Sequence, residues 1–446
     1  MIKRVLQYAL TLLTLLCIPA WAADYCVGDC TTGAYAATYA APGDVVWGAS
    51  GVDTGDTLYI DGTLTAQLDV QQSDITITVT SNGGVIDGAN LLISDESGIT
   101  VNGVEIKNDA SNGGLDIRRS SDITVVGVYS HDNEFCINLQ DTTDSTVDST
   151  TRCEDNDLTG MKIQGAVTGA SNLTIAGTYA RNGATSGDGD GIGIGHAGGT
   201  MTNINIVGAR LIDNGPRSGS SDAGGGITVS TSNSATAEVN IRRCYFEGNY
   251  RSSINLADEW IGGVIAGNVI VDGIGPATGG TRGAIHLVAT GLSQLAWIVN
   301  NTIDGNTGYS SGIRVFGASP ASALTIVNNS ISNQTNGSYV ADINLSTTDA
   351  ARTVKYNNVY SPAGNTVARE GANTYATVAL WDDANGDGGH IDADPLFIAP
   401  GSDYRLRPSS TLRRAGTCYL ATGCAYPDFR GYRGRVPPDI GAYQRN

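Results

Sequence analysis

A short phrase recurs along the chain: a small residue, then an apolar residue, one variable residue, and a second apolar residue. It reads GGLDIRR at Gly113, FCINLQ at Phe135, TGMKIQG at Thr159, DGIGIGH at Asp190, GGITVS at Gly225, SSINLAD at Ser252, GAIHLVA at Gly283, SGIRVFG at Ser311 and ADINLST at Ala341. The leading apolar residues are Leu115, Ile137, Met161, Ile192, Ile227, Ile254, Ile285, Ile313 and Ile343, spaced 22 to 35 residues apart. Between them runs a second phrase, as in SNLTIAGTYARNG, AEVNIRRCYFEGN, LAWIVNNTIDGN and SALTIVNNSISN, which reads as strand, short bend, strand, then Asn at a corner. Period-two alternation turns every second side chain inward, and Asn and Gly serve the corners. A few short strands repeated at this spacing predict a coiled solenoid. The fold class expected is all-β, a right-handed parallel β-helix of ten or more turns, the hand being that of parallel crossovers. An antiparallel sandwich would need two-residue hairpin turns as its main connectors, and these do not dominate.

The alternation sets the domain limits. Residues 54–360 carry the coil, residues 23–53 are expected to cover its first turn, and residues 361–446, where the period breaks, to cover its last. A solenoid needs both covers because its end strands expose unpaired edges. Residues 1–22 read as a secretory signal: Lys3 and Arg4, an apolar run from Val5 to Ile18, then Ala20-Trp21-Ala22. A secreted or periplasmic protein without a membrane span is expected.

Export changes how the cysteines read, because it permits disulfides. Cys26 with Cys30 and Cys418 with Cys424 are close-spaced candidates, and Cys136 with Cys153 is a third. Cys244 faces inward by its phase and is expected to be a buried thiol. No paired CxxC spacing suggests zinc.

The middle residue of each apolar-x-apolar phrase points outward. These form a stripe: Asp116, Asn138, Lys162, Gly193, Thr228, Asn255, His286, Arg314, Asn344. Turns stack ~4.8 Å apart, so the stripe would run about 40 Å along one sheet. Exposed strands favour β-branched residues, and few of these are. Preceding loops add Asp188, Asp190, Tyr250, Arg251, Arg282 and Tyr309 along one wall. In the stretch from Gly187 to Gly199, Ile192 and Ile194 face the core. Gly193 and Gly195 face out and leave the sheet bare, either as a place of close approach or as a local bend.

The turns resemble the pectate-lyase-like superfamily of secreted β-helix proteins. So does the tail: Asp394-Pro395-Leu396-Phe397, Asp403-Tyr404-Arg405-Leu406, Ala415-Gly416, Asp428-Phe429-Arg430-Gly431 and Pro438-Asp439-Ile440-Gly441-Ala442-Tyr443. The resemblance implies a carbohydrate-active protein without choosing among lyase, hydrolase, epimerase and members of no known activity. The Asp-Pro-His-Asp motif of mannuronan epimerases is absent. Asp190-Gly191-Ile192 stands where polygalacturonase-like hydrolases place a groove carboxylate, but their adjacent-turn Asp pair and Gly-His-Gly are not reproduced.

A lyase acting on a uronate polymer is therefore the leading expectation. β-Elimination needs a base, a neutralised carboxylate and a proton donor. His286 is the candidate base, Arg314 the carboxylate ligand, and Tyr309 or Tyr250 the donor. Lys162, one of three lysines after residue 22, is a second catalytic candidate. Asn138, Asn255, Asn344, Arg251, Arg282, Tyr250 and Asp190 are candidate substrate ligands. The alternatives are a hydrolase using Asp188 and Asp190, and a glycan-binding module without catalysis. The formal charge of −18 excludes nucleic acid as a partner and would repel an acidic polymer, so a lyase needs a local cationic patch such as Arg251, Arg282 and Arg314, or bound calcium. DANGDGGHIDAD places Asp383, Asn385, Asp387 and Asp394 at positions one, three, five and twelve of a calcium-type loop. A monomer acting on a polysaccharide is the expected form.

Overall fold

The computed structural model describes residues 22–443, apart from 32, 111–112, 184–188, 196–198, 216–223, 231–236, 258–259, 275–281, 289–291, 308–310, 318–323, 335–340, 347–351, 361–365, 386–387 and 419–437. Parallel strands coil into a stack with three faces. One face is a 13-stranded sheet built from the apolar-x-apolar phrases, beginning at Leu68–Val70 and ending at Asn373–Tyr375. The other two faces are joined in a 24-stranded sheet built from the second phrase.

The inward register is the one the alternation predicts. Ile137, Met161, Ile192, Ile227, Ile254, Ile285, Ile313 and Ile343 pair in succession across the first face. Each is fully buried. Full burial of side chains of this size stabilises the coil by roughly 1.5–3 kcal/mol each.

The corner asparagines are stacked as well. Asn156 Nδ2 donates to Asn182 Oδ1 at 2.8 Å, Asn182 to Asn214 at 2.9 Å, and Asn214 to Asn249 at 3.0 Å. The second Nδ2 proton reaches back to a backbone carbonyl, as from Asn214 to Tyr179 at 2.8 Å. The residue before each corner is left-handed, with φ 54° at Asp155 and 53° at Asp213, where Asp is better tolerated than most side chains. A second ladder runs Asn268, Asn301, Asn329, Asn357. It ends on His390, whose Nδ1 accepts the Asn357 N–H at 3.2 Å.

At the first end, Asp24–Gly28 pairs in parallel with both Thr57–Leu64 and Ala37–Tyr39. At the other end the helix Val378–Asn385 places Trp381 under the last coil. There its Nε1 donates to buried Glu370 at 3.1 Å and its ring stacks on His390 at 4.0 Å. Beyond the helix, Ile391 bridges Asn358 in parallel on the last turn. Further along, Phe397, Tyr404 and Ala442 pack along the side on Val269 and Val271. Cys26–Cys30 and Cys136–Cys153 are disulfides, as the spacings suggested, and Cys244 is a buried free thiol. Cys418 is disulfide-bonded; Cys424 lies outside the described residues.

Candidate functional site

The outward stripe exists in the register read from the repeats. Asp116, Asn138, Lys162, Gly193, Thr228, Asn255, His286, Arg314 and Asn344 are paired neighbours in that order. Arg369 extends it by one turn beyond Asn344. Arg369 escaped the sequence pattern because Ala368-Arg369-Glu370 is not apolar on both sides: Glu370 faces inward but is bonded to Trp381.

A groove of about 680 Å³ lies over this row. Its floor is Gly193, Gly195 and Thr228. Lys162 stands toward one end and Asn255 and Arg282 toward the other, with Arg251 and Asp190 on the wall. From Lys162 to Asn255 is three turns, about 14 Å, long enough for an oligosaccharide. Gly193 is not needed for its backbone angles. A Cβ there would meet Thr159 Cγ2 at 3.4 Å and Asp190 Oδ2 at 3.5 Å, ordinary contact distances, and its φ is not left-handed. The glycine leaves the floor open rather than bending the strand.

Asp190 is buried and is the only carboxylate residue among the described lining residues. Its Oδ1 accepts the Thr228 hydroxyl at 2.6 Å. Lys162 sits over the Phe135 ring, with Nζ 4.5 Å from the centroid. Arg282 Nη1 donates to Asn255 Oδ1 at 3.4 Å. Asn138, one turn from Lys162, donates to Asp116 at 2.9 Å, and Arg118 pairs with Asp116 from the same strand.

His286 and Arg314 are adjacent, as the phase predicted, but they lie outside the groove lining. The imidazole is 5% exposed. Burial, reinforced by the charges of Arg282, Arg314 and Arg251, pushes its pKa down to about 3. The candidate base is thus held neutral well below its ordinary range, in part by arginines from loops and neighbouring turns whose approach no single repeat encodes. His286 Nδ1 has no hydrogen-bond partner among the described residues. Arg314 is half-buried over the Phe316 ring at 5.4 Å. Burial, then Arg282 and Arg369, hold its pKa below the usual value. Tyr250 sits at a corner bridge to Ile274, next to Arg251, and is not among the lining residues of the groove. Tyr309, Asp188 and most of the loops entering Ile192, Ile227 and Ile285 lie outside the described residues.

In the calcium-type segment, Asp383 and Asn385 belong to the helix Val378–Asn385. Exposed Asp394 accepts the Leu396 N–H at 2.8 Å, and Asp387 is outside the described residues. Among the described residues no group of three or more His, Cys, Asp or Glu side chains is placed to hold a metal ion.

A family model described as the right-handed beta helix region matches residues 71–240. That match bears out the β-helix resemblance and gives the stack its hand; it does not extend to the C-terminal ending. No curated protein sequence matches the chain. Similar solved structures include an alginate lyase at 14% identity and TM-score 0.49, over 89% of this chain and 57% of that one. A pectate lyase is 14% identical with TM-score 0.38, over 89% and 90% of the two chains. PfbA, a surface adhesin of Streptococcus pneumoniae, is 13% identical with TM-score 0.40, over 71% and 81%. No helix among the described residues is long and apolar enough to cross a membrane.

Proposed function

We propose that the groove over Gly193 binds a uronate-containing polysaccharide and cleaves it by β-elimination. The observation that supports this most is electrostatic. A chain of net charge −18 gathers Lys162, Arg251 and Arg282 around one hollow that holds a single carboxylate, Asp190, among its described lining residues. Such a hollow attracts successive carboxylates of an acidic polymer that the rest of the surface repels. Arg251 and Arg282, toward the other end of the hollow, hold carboxylates of neighbouring sugars. Lys162 takes the C5 proton of the sugar at its own end in this scheme. The electron pair forms the C4–C5 double bond, and the C4–oxygen bond breaks as the leaving oxygen takes a proton from water. His286 is too buried and too weakly basic for the role.

The hydrolase reading needs a pair of carboxylates: Asp190 lines the hollow, and Asp188 lies outside the described residues. Incubation with a panel of polyuronates tests the proposal. Ultraviolet-absorbing unsaturated ends mark elimination. New reducing ends without that absorbance mark hydrolysis. Binding without either product marks a glycan-binding module.

A further inference from the structure

The second face of the coil, made by the strands that begin the second phrase, has its own outward row. At one end it is almost pure threonine: Thr57, Thr76, Thr100, Thr124, Thr146 and Thr174 are paired neighbours. At the other end it is threonine again, Thr325 and Thr353. β-Branched residues are the default for a solvated strand. The row breaks for four turns in between. Asn205 pairs with Thr174 and with Asn240. Asn240 Oδ1 accepts the Val264 N–H at 3.1 Å. Val264 pairs with Trp297, and Trp297 with Thr325. All four line one shallow hollow of about 600 Å³.

The backbone is shaped at the same place. The pairing register shifts between Met201 and Ile204, and on the next turn between Ala237 and Glu238. Such irregularities re-aim side chains and often adjoin sites. Gly263 is obligatory there: a Cβ would lie 2.2 Å from the Val239 carbonyl oxygen, and its φ is +132°. Val264, Ala266, Val299 and Val327 form a small apolar cluster on the outside of the coil, against which Trp297 is packed. The indole is therefore held rather than free to swing.

The charged lining residues are Glu238 and Arg242, which cancel. The remaining polar side chains are amides, from Asn203, Asn205, Asn240 and Gln294. Amides offer a donor and an acceptor side by side, matching vicinal hydroxyls. An aromatic face buries the apolar face of a pyranose ring and leaves its hydroxyls to the rim. We infer that this hollow is a binding site for a neutral oligosaccharide, separate from the cationic groove and on a different face of the same turns.

The test titrates the protein with neutral β-linked oligohexoses and, in parallel, with oligouronates, following tryptophan emission and heat of binding. At least one neutral oligosaccharide should bind and change the emission. Trp297→Ala should weaken that binding by about tenfold or more, in keeping with an aromatic anchor, and Gln294→Ala by several-fold. Both should keep the parent's thermal midpoint, and Lys162→Met should bind the neutral sugar normally. The inference is overturned if no neutral sugar binds, if Trp297→Ala and Gln294→Ala bind as the parent does, or if Lys162→Met removes the binding. The last outcome would assign the neutral sugar to the groove. Neutral-sugar binding is measured whether or not polyuronates are cleaved, so this test and the lyase test fail separately.

Discussion

Thr228 donates its hydroxyl to Asp190 at 2.6 Å across one turn of the coil, and the bond fixes a carboxylate beside the bare backbone of Gly193. Position 193 is thus a floor bounded by side chains that are themselves held. Gly193→Val should fill that floor. Its backbone angles tolerate a side chain and the nearest atoms leave room for Cβ, so stability should change by no more than ~0.5 kcal/mol, as for other surface sites. Polyuronate binding should fall strongly. Equal binding by the variant, measured by calorimetry at matched thermal midpoint, would show that the polymer lies elsewhere.

The end of the second asparagine ladder gives a pH prediction. His390 accepts from Asn357 at Nδ1, and its Nε2 faces the Val354 carbonyl at 3.2 Å. That pattern needs the neutral ring with its proton on Nε2. Burial lowers its pKa to about 4, against ~6.5 in the unfolded chain. The folded state therefore binds fewer protons than the unfolded state between those values. The contribution is fully present above pH ~6.5 and is lost as pH falls through about 4, to a limit of ~3 kcal/mol. His390→Gln should flatten that part of the stability–pH curve, read by urea unfolding at several pH values. An unchanged slope would remove His390 as the cause.

The ladders themselves should be costly to break. Asn214→Ala removes the donors to Asn249 Oδ1 and Tyr179 O and the acceptor of Asn182 Nδ2. All are buried, and each unsatisfied group costs about 1–3 kcal/mol. The loss should be comparable to that of Ile254→Ala in the fully buried isoleucine column, about 2–5 kcal/mol. A lowered urea midpoint for both, with near-native circular dichroism at zero denaturant, is the expected result.

Much of this was legible in the chain because a strand's period of two leaves no freedom. Once Ile192 faces inward, Gly193 faces outward, and stacking then places Lys162 and Thr228 beside it. The corner asparagines were visible as residues, though not as a hydrogen-bonded column, because the bond runs between residues 26 to 35 positions apart. The burial of His286 was not legible. Its phase places it outward, and the charges of Arg251 and Arg282, which precede their strands in loops, reach it from neighbouring turns. The calcium-type spacing overlaps an element that the pattern did not show. Its first two ligand positions, Asp383 and Asn385, fall within a helix of eight residues that carries Trp381 under the last coil.

The division of labour between Lys162 and His286 decides the chemistry. Both stand in one outward row, separated by Gly193, Thr228 and Asn255. That is four turns or about 19 Å, too far to act on one bond. Only Lys162 lines the groove. Lys162→Met keeps the length of the side chain and much of its contact with Phe135 while removing the amine. It should abolish formation of unsaturated product, by a factor of 10² or more if the amine is the base, with a smaller effect on binding. Arg282→Met should instead weaken binding and steepen the loss of activity with added salt less than the parent does, because a carboxylate contact has gone. His286→Gln should leave product formation nearly intact. Its activity–pH curve should match the parent's between pH ~5 and ~8, since a ring with a pKa of about 3 is neutral throughout that range. A Lys162→Met protein that still releases unsaturated product, together with an inactive His286→Gln, would return the reacting centre to His286 and Arg314.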